Sequence, residues 1–238
     1  MASKRGKMPD SAEYLAKRAH FRSLLTIYGR KTVLDALLQD DLECVRLHIA
    51  LGARGRVIQD ILSRAETRGI PIRRATEEEV TRISRNGRQD QGVAADLKLP
   101  AYGEAETFLK NAPKAFALLA LNGITTPRNV GMIIRSVAAG GLDGVVLPEQ
   151  GSARIDSLVI KASAGAVFRT RILRCERLET ALGAFREAQS AIAVLDAHGA
   201  LSLFEYSPPG RVVYVLGNEA DGVSRSIRAL ETHTIRIP

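Results

Sequence analysis

The sequence predicts an α/β fold with two units, a small α/β domain near the amino terminus and a larger domain built on a parallel sheet. Short apolar runs alternate along the chain with helical patterns, as expected for strands and amphipathic helices in turn. From residue 113 onward each strand pattern is followed by a helix pattern. This order favours parallel strands that are covered by helices on both faces.

Changes in composition divide the chain into four segments. Residues 1–24 are charged and rich in alanine, and they are predicted to form a basic flexible extension. Residues 25–99 form the small domain and residues 113–238 the larger one. The segment 100–112 carries Pro and Gly with few β-branched residues, so we interpret it as a linker that can include a short helix.

One local signal in the small domain is specific. Thr76 is followed three residues later by Glu79, which predicts a capping box at a helix start, and Gly69 is expected to end the preceding helix. The predicted elements are, in order, a helix in GRKTVLDALLQD, a strand in CVRLHIA, a helix in GRVIQDILSRAETRG, a strand in IPIRRA, the capped helix in TEEEVTRIS, a polar loop RNGRQDQG and a strand in VAADLK.

The larger domain shows a regular rhythm of strands and helices. Its predicted strands are AFALLAL, DGVVLP, TRILRC, AIAVLD, RVVYVLG and HTIRIP. Its predicted helices are one that runs from near Pro127 to Ala139, followed by IDSLVIKAS, RLETALGAFREAQ and SRSIRAL. Together they predict an open parallel sheet.

The bulk properties restrict the protein class. The 238 residues carry a formal net charge of +8, which suggests a polyanionic partner such as nucleic acid, although charge alone leaves a merely basic surface possible. The start MASKRGKMPDS lacks the apolar run of a secretory signal, and no stretch reaches the ~20 apolar residues of a membrane span. We therefore expect a cytoplasmic protein without membrane association. Cys44 and Cys175 are expected to be reduced structural residues, and the histidines show no metal spacing, so no metal site is predicted.

Three loops follow apolar strands, at residues 122–129, 196–200 and 217–223, and ligands of open parallel sheets bind where such loops leave the strands. In the third loop, Gly217 and Gly222 permit backbone geometries that bring peptide groups close to a ligand, with Glu219 between them. An ordinary glycine-bounded turn with an exposed glutamate is the alternative.

An arginine lies inside the first helix of the larger domain. Asn129 is expected to cap this helix, and Pro127 fits just before its start. Arg135 follows within a largely apolar stretch, where an arginine is costly unless an anion meets it. Because Gly131 lies one turn earlier, Arg135 is expected to face the loop across a bare patch. A surface arginine beside a packing glycine explains the pattern equally well.

Several other enzyme classes lack their motifs. The segment GGLDG at 140–144 follows a helix rather than a first strand, so it is not a dinucleotide-binding fingerprint. Neither a Walker A motif nor a Gly-x-Ser-x-Gly elbow occurs. A nucleotide-dependent oxidoreductase is therefore disfavoured.

Two long segments together resemble the SpoU/TrmH family of RNA 2′-O-ribose methyltransferases, within the SPOUT superfamily. The first motif of the family is similar to LNGITTPRNVGMIIRSVAAGGLDGVVLP and the second to VVYVLGNEADGVS, and IKASAGA fits the small-residue segment between them. The small domain, with YGRKTVLDALL and RNGRQDQGVAA, resembles the substrate-recognition domain that is fused to many members. The resemblance covers about residues 25–238 and implies a trefoil-knot fold for the larger domain.

The resemblance implies catalytic roles for Asn129, Arg135 and Glu219. The arginine engages the target ribose, and the carboxylate helps to hold the arginine and the substrate. Guanidinium stays protonated, so Arg135 suits the stabilisation of an emerging alkoxide better than the role of general base. Deprotonation assisted by phosphate or by solvent remains open.

The resemblance also implies S-adenosylmethionine as the cofactor. Leu216, Gly217 and Asn218 match the loop that wraps the cofactor, and Ile237 begins a further contact segment. Leu195 ends a strand at the same edge and is expected to line the pocket.

RNA binding is expected mainly in the small domain, where basic residues near turns and element ends can reach phosphates. The polar loop is the first candidate, because Arg, Asn and Gln also read base edges. The predicted RNA-binding residues are Arg30, Lys31, Arg85, Asn86, Arg88, Gln91 and, in the larger domain, Arg128. The resemblance favours ribosomal RNA, with a guanosine of the large-subunit RNA as target, over tRNA, and it implies a homodimer.

Two features depart from the family pattern. Thr126 stands where the family has Asp before the proline of the first motif, and its hydroxyl is expected to cap the helix instead. The chain stops at TIRIP, before the family's third motif, so we expect an incomplete knot, impaired cofactor binding and doubtful activity. The rival interpretation is a non-catalytic RNA-binding protein on a degraded methyltransferase fold. The intact Asn129, Arg135 and Glu219 argue against this rival.

Overall fold

The fold is given by a computed structural model that describes residues 24–40, 42–98 and 102–238. The chain divides into two compact units, Met1–Leu99 and Pro100–Pro238. The predicted basic extension, residues 1–24, lies outside the described residues except for Leu24, which begins the first strand.

The first unit alternates strands and helices, as predicted. Its elements are β1 (Leu24–Tyr28), α1 (Arg30–Leu37), β2 (Cys44–Ala50), α2 (Arg56–Thr67), β3 (Ile72–Ala75), α3 (Glu77–Ser84) and β4 (Val93–Lys98). Within residues 24–98 the strands form one mixed sheet in the order β1-β4-β2-β3, in which only β2 and β3 pair in parallel. Strand β1 was not predicted, because five residues directly before a helix offer little periodic pattern.

The predicted capping box at the start of α3 is confirmed. Thr76 Oγ1 accepts a hydrogen bond from Glu79 N at 3.2 Å, and Glu79 Oε2 accepts one from Thr76 N at 2.9 Å. Gly69, just after α2, has a φ of +63°, the left-handed geometry that commonly ends a helix at glycine.

A buried polar group ties three strands of the first unit together. His48 is 3% exposed, and its Nε2 donates to Asp96 Oδ2 at 2.8 Å, while Thr26 Oγ1 donates to Asp96 Oδ1 at 2.7 Å. Burial acts to raise the pKa of Asp96, but the hydrogen bonds from His48 and Thr26 outweigh it and hold the pKa below its ordinary value of 3.8. The ionised carboxylate is therefore part of the folded structure.

The second unit is built on a parallel sheet. Its elements are β5 (Gly103–Glu104), α4 (Ala105–Lys110), β6 (Phe116–Leu121), α5 (Pro127–Ala139), β7 (Gly144–Pro148), α6 (Ser157–Ala162), β8 (Ile172–Cys175), α7 (Leu178–Glu187), β9 (Ala191–Leu195), β10 (Leu201–Ser202), β11 (Arg211–Leu216), α8 (Arg225–Arg228) and β12 (His233–Arg236).

Across residues 102–238 the strands form one sheet in the order β10-β12-β9-β11-β6-β7-β8-β5, and every pair is parallel, which confirms the predicted fold class. Strands β6, β7 and β8 are successive neighbours, so α5 and α6 cover one face through right-handed crossovers. The chain then steps back across the sheet to β9, which places α7 on the other face.

The structure corrects the linker predicted at residues 100–112. Gly103 and Glu104 pair with β8 as an edge strand, and the anticipated short helix follows as α4. The Phe108 ring of α4 packs against Phe116 and Phe185, with centroid distances of 5.3 and 6.4 Å. A two-residue strand is too short to show a pattern, so only the pairing with β8 reveals that this segment belongs to the second unit.

Candidate functional site

The candidate site lies where three neighbouring parallel strands end. Leu195 of β9 pairs with Leu216 of β11, and Leu216 pairs with Leu121 of β6. After β6 the chain crosses to β7, whereas after β11 it crosses in the opposite direction to β12. Such a divergence opens a crevice at the carboxyl ends of the strands, which is where ligands bind in open α/β sheets.

The two loops that leave this crevice are tied together. Asn122 N donates to the carbonyl of Leu216 at 2.8 Å, and Asn122 Oδ1 accepts from Ser224 N at 2.8 Å. These bonds join the segment after β6 to the segment after β11, about a hundred residues later in the chain. The two sequence motifs therefore form one site.

The loop after β11 is a tight turn. Asn218 Oδ1 accepts from Ala220 N at 2.9 Å and from Asp221 N at 2.7 Å, and Gly222 N donates to the Asn218 carbonyl at 3.1 Å. A Cβ at Gly217 would lie 2.1 Å from the carbonyl carbon of Gly222, so only glycine fits there. The side-chain oxygen of Asn218 thus shapes the loop and is not free to accept from a ligand.

The start of α5 differs from the prediction. Thr126 is the N-cap residue and Pro127 the first helical residue, so Asn129 is the third residue of the helix and not its cap. Proline suits the first helical position because its missing N–H has no partner there. The Thr126 side chain makes no capping hydrogen bond, so the expected replacement of a capping carboxylate by this hydroxyl is not found.

Asn129 instead connects the two motifs. Its Nδ2 donates a hydrogen bond to Glu219 Oε1. The expected contact between Glu219 and Arg135 is therefore corrected, because the described structure pairs the carboxylate with Asn129. This side-chain contact fixes the start of α5 against the loop after β11.

Arg135 lies six residues beyond Asn129 on α5, which is about 1.7 helical turns. Its side chain is exposed, and among the described residues it has neither a hydrogen bond nor an ion pair. The predicted bare patch at Gly131 is wrong. A Cβ at Gly131 would lie 2.5 Å from Ala162 Cβ and 2.6 Å from the Val159 carbonyl, so this glycine allows α5 and α6 to pack closely.

The candidate cofactor residues meet at the same crevice. Leu195 and Leu216 are half-buried at paired strand ends, and β12 pairs with β9 so that Ile235 lies opposite Leu195. Ile237 follows β12 and is 60% exposed. Apolar side chains beside a backbone turn are the kind of lining that small-molecule sites use, so these residues fit a partly apolar cofactor.

Sequence reasoning missed one ion pair at this edge. Asp196, directly after Leu195, contacts the guanidinium of Arg228 in α8. The hydrogen bond from His198 N lowers the pKa of Asp196, and the bond from Arg228 lowers it further. The two residues are far apart in sequence, so no local pattern could have shown that they hold the loop after β9 against α8.

In the first unit, the residues predicted to bind RNA divide into two groups. Arg30, Asn86 and Gln91 form the group whose side chains are hydrogen-bonded to other residues. The Nε of Arg30 donates to the Gln91 carbonyl at 3.2 Å and its Nη1 to the Arg54 carbonyl at 3.1 Å. Gln91 Oε1 accepts from Arg30 N at 3.1 Å. Asn86 Nδ2 donates to the Tyr28 hydroxyl at 3.0 Å.

The other group is exposed. Lys31, Arg85 and Arg88, together with Arg128 of the second unit, make no side-chain hydrogen bond or ion pair with residues of the described ranges. A cavity of about 520 Å³ opens in the first unit beside Arg30, Arg88 and Gln91. Its polar lining residues are Arg30, Glu77, Thr81, Arg88, Asp90 and Gln91.

The cysteines play no part in the candidate site. Both are free and buried, and burial raises the pKa of Cys44 and of Cys175 to about 11. Such thiols stay protonated at neutral pH and are poor nucleophiles. Over the described ranges, no three His, Cys, Asp or Glu side chains gather in a way that could hold a metal ion. Nor does any helix there combine the length and the apolar character that a membrane crossing requires.

Comparison with known proteins agrees with this geometry. The SpoU rRNA Methylase family profile matches residues 117–238, and the profile for RNA 2′-O ribose methyltransferase substrate binding matches residues 26–103. A protein of Mycolicibacterium gilvum (strain PYR-GCK), named an uncharacterized tRNA/rRNA methyltransferase, is 33% identical over 240 residues, which are 98% of this chain and 76% of that protein.

Two solved structures are similar in fold. The SpoU methyltransferase AviRb from Streptomyces viridochromogenes, in complex with AdoMet, is 20% identical with a TM-score of 0.74, over 93% of this chain and 83% of that chain. The AdoMet-bound rRNA methyltransferase from Sinorhizobium meliloti is 21% identical with a TM-score of 0.72, over 94% of this chain and 81% of that one.

Proposed function

Because this chain belongs to the SpoU family of rRNA methylases, we propose that it is an RNA methyltransferase that transfers a methyl group from S-adenosylmethionine to a ribose 2′-hydroxyl. The observation that carries the proposal is the joining of the two motifs at the strand ends. Asn129 bonds Glu219 and Asn122 bonds Ser224, so that the start of α5 and the loop after β11 frame one crevice.

The proposed cofactor site is the side of the crevice at β9, β11 and β12. Leu195, Leu216 and Ile237 provide apolar contacts, and the turn at Gly217 and Asn218 presents backbone groups. S-adenosylmethionine supplies a methyl group that is already activated by its sulfonium. The chain's own task is therefore to align the ribose oxygen with that methyl group and to exclude competing geometries.

Arg135 is the residue we propose for the ribose. The 2′-oxygen becomes more negative as it attacks, and a guanidinium that is not bonded to any described residue is available to stabilise that charge. Because guanidinium stays protonated, Arg135 acts by charge and hydrogen bonding and does not remove the proton. Glu219 acts indirectly, by fixing Asn129 and thereby the helix that carries Arg135.

The first unit is proposed to recognise the RNA. Arg88 and Lys31 are exposed cations that can contact phosphates, while Arg30 and Gln91 shape the cavity beside them. The match of residues 26–103 to a 2′-O ribose methyltransferase substrate-binding domain supports the choice of the ribose. Within structured RNA, we propose a guanosine of the large-subunit ribosomal RNA as the target to test before tRNA.

We also propose that two copies pair. Met132 of α5 and Leu158 at the start of α6 are 46% and 45% exposed, on two helices that pack against each other on one face of the sheet. Exposed apolar residues on one face favour association. Sedimentation equilibrium at increasing concentrations measures this directly, and a monomer at every concentration would contradict it.

The first experiment is calorimetric titration of S-adenosylmethionine into the chain, followed by transfer of a labelled methyl group to ribosomal RNA and to tRNA. We expect saturable binding and label in RNA that resists alkaline cleavage at the methylated position, because a 2′-O-methyl group blocks attack by that oxygen. Binding of RNA without cofactor binding or transfer would instead support the non-catalytic RNA-binding protein.

A further inference from the structure

A second cavity, of about 540 Å³, adjoins Arg135 on the face of the sheet that α5 and α6 cover. It lies between the carboxyl half of α5 and the segment that connects α6 to β8. Its polar lining residues are Arg135, Asp143, Ser163, Arg169, Thr170 and Arg171. Its volume is within the range of about 300–1,000 Å³ that is typical of ligand sites.

Most neutral polar groups of this cavity are already used inside the protein. Ser163 Oγ donates to the Ile160 carbonyl at 2.9 Å, and Thr170 Oγ1 donates to the Ala166 carbonyl at 2.9 Å. Asp143 Oδ2 accepts from Ala117 N at 2.8 Å. The lining therefore offers a ligand chiefly its arginines.

The three arginines are not equally available. Arg135 and Arg169 are exposed and have no hydrogen bond or ion pair with any residue in the described ranges. The guanidinium of Arg171 instead lies over the Phe108 ring, 5.3 Å from its centroid. Phe108 packs against Phe185 of α7 on the opposite face of the sheet, so this guanidinium is directed away from the cavity.

The charge of the lining selects an anion. Two exposed arginines, Arg135 and Arg169, line the cavity with a single carboxylate, that of Asp143, which is also bound to a backbone N–H. Guanidinium binds phosphate through two parallel N–H bonds, with both charge and geometry in its favour. A phosphate ester is therefore the ligand class that the cavity fits best.

We propose that this cavity binds a phosphodiester group of the RNA next to the methylated nucleotide, with Arg169 as the phosphate-binding residue. The inference rests on the proposed function, which supplies RNA as the ligand. Arg135 lies six residues beyond Asn129, about 9 Å along the axis of α5. It thus stands between the crevice and this cavity, so a strand whose ribose meets Arg135 continues toward Arg169.

The test compares Arg169→Ala with Arg171→Ala and Arg186→Ala. Arg186 is an exposed arginine in the last turn of α7, on the opposite face of the sheet, and its Nη1 has only a 3.4 Å contact with the Ala229 carbonyl. All three variants remove one positive charge. A fluorescently labelled RNA hairpin is titrated with each protein at several KCl concentrations, and thermal unfolding confirms that each variant is folded.

We expect Arg169→Ala to weaken RNA binding roughly tenfold, as the loss of a charge-assisted contact does. The slope of log affinity against log salt should fall by about 0.7–0.9 for one lost phosphate contact. Arg186→Ala should leave the slope unchanged, and Arg169→Lys should restore most of it. Arg171→Ala removes a guanidinium that is stacked on Phe108, away from the cavity, so it should also leave the slope unchanged.

The inference is overturned if Arg169→Ala keeps the wild-type salt slope, if Arg186→Ala loses as much, or if wild-type protein does not bind the hairpin. It is also overturned if the variant changes self-association and not RNA binding, because the cavity would then receive an acidic segment of a second copy. Cofactor titration separates the two proposals. A wild type that binds no S-adenosylmethionine refutes the proposed function, whereas a difference in RNA slope between the Arg169 and Arg186 variants still supports the phosphate site.

Discussion

Arg30 and Arg135 look alike in the sequence, since each is an arginine within a predicted helix. In the structure they differ. The guanidinium of Arg30 donates hydrogen bonds to the carbonyls of Gln91 and Arg54, whereas that of Arg135 has no partner in the described ranges. An arginine whose guanidinium is bonded to backbone carbonyls contributes to the stability of the fold. An arginine without such a partner is available to bind a ligand.

The same contrast separates the two units more broadly. In the first unit, Asn86 is bonded to Tyr28, Gln91 is bonded to Arg30, and a half-buried carboxylate, that of Asp96, is bound by two side chains. In the second unit, Arg128 and Arg169 carry exposed charges without described partners. Substitution of the bonded residues should therefore lower mainly stability, whereas substitution of the exposed arginines should lower mainly activity.

The largest expected effect is that of Arg135→Ala. Removing the group that stabilises the developing negative charge should slow methyl transfer about 10²- to 10³-fold, as the loss of one such donor does in other enzymes. Cofactor affinity, measured by calorimetry, should stay near wild type, since Arg135 makes no hydrogen bond or ion pair with the described residues that line the proposed cofactor site. Wild-type turnover by this variant, with Arg186→Ala as the control, would refute the role of Arg135.

Arg30→Ala should act in the opposite way. It removes two hydrogen bonds from a charged group, so we expect a loss of about 1–2 kcal/mol in the free energy of unfolding, measured with urea. Arg88→Ala is the matched control in the same cavity. It should leave stability unchanged and reduce RNA affinity. Equal stability of the two variants would remove the distinction between bound and free arginines.

Thr26→Val tests how much the hydrogen bond to the Asp96 carboxylate contributes to stability. The variant loses one hydrogen bond to Asp96 and should be about 1 kcal/mol less stable at neutral pH. Because the pKa of Asp96 is lowered by folding, its contribution is complete above its ordinary value of 3.8 and is lost as the pH falls through the lower folded value. The difference in the free energy of unfolding between variant and wild type, measured with urea, should thus narrow only as the pH falls below 3.8. Thr26→Ser should keep wild-type stability, and a gap that is constant with pH would argue against the role of the carboxylate.

The smallest effect concerns the contact between Asn129 and Glu219. A double-mutant cycle with Asn129→Ala and Glu219→Ala should give a coupling of about 0.5 kcal/mol in methyl transfer, the low end for residues in contact, because the pair is near solvent. Glu219→Gln keeps an acceptor oxygen and should lose less activity than Glu219→Ala. Additive single effects would show that the bond does not position α5.

Local patterns accounted for much of the fold. The reciprocal bonds of Thr76 and Glu79 lie within one helical turn, so their spacing alone was enough to predict them. The short strands β5 and β10 were missed, because two residues carry no periodicity. The cap of α5 was misplaced by the side-chain preference of Asn129, whereas the constraint that decided it was the ring of Pro127 at the first helical position.

The candidate site was predictable only as a set of residues. Family-like motifs placed Asn129, Glu219 and Arg135 in one region, but not the contacts among them. The structure pairs Glu219 with Asn129, uses Gly131 for helix packing, and adds the ion pair of Asp196 with Arg228. These are contacts between residues that are distant in sequence, and periodicity and spacing do not report them.

Apolar periodicity in the sequence was enough to predict most strands and helices in their order, because burial of apolar faces imposes a period on each longer element. The two motifs could also be found in the sequence, since glycine and proline constrain the backbone wherever they stand. Which charged side chains are bonded and which are free became visible only in the folded chain. That difference separates Arg30 from Arg135 and Arg169, because a guanidinium finds its partner through the packing of distant segments and not through its neighbours in the chain.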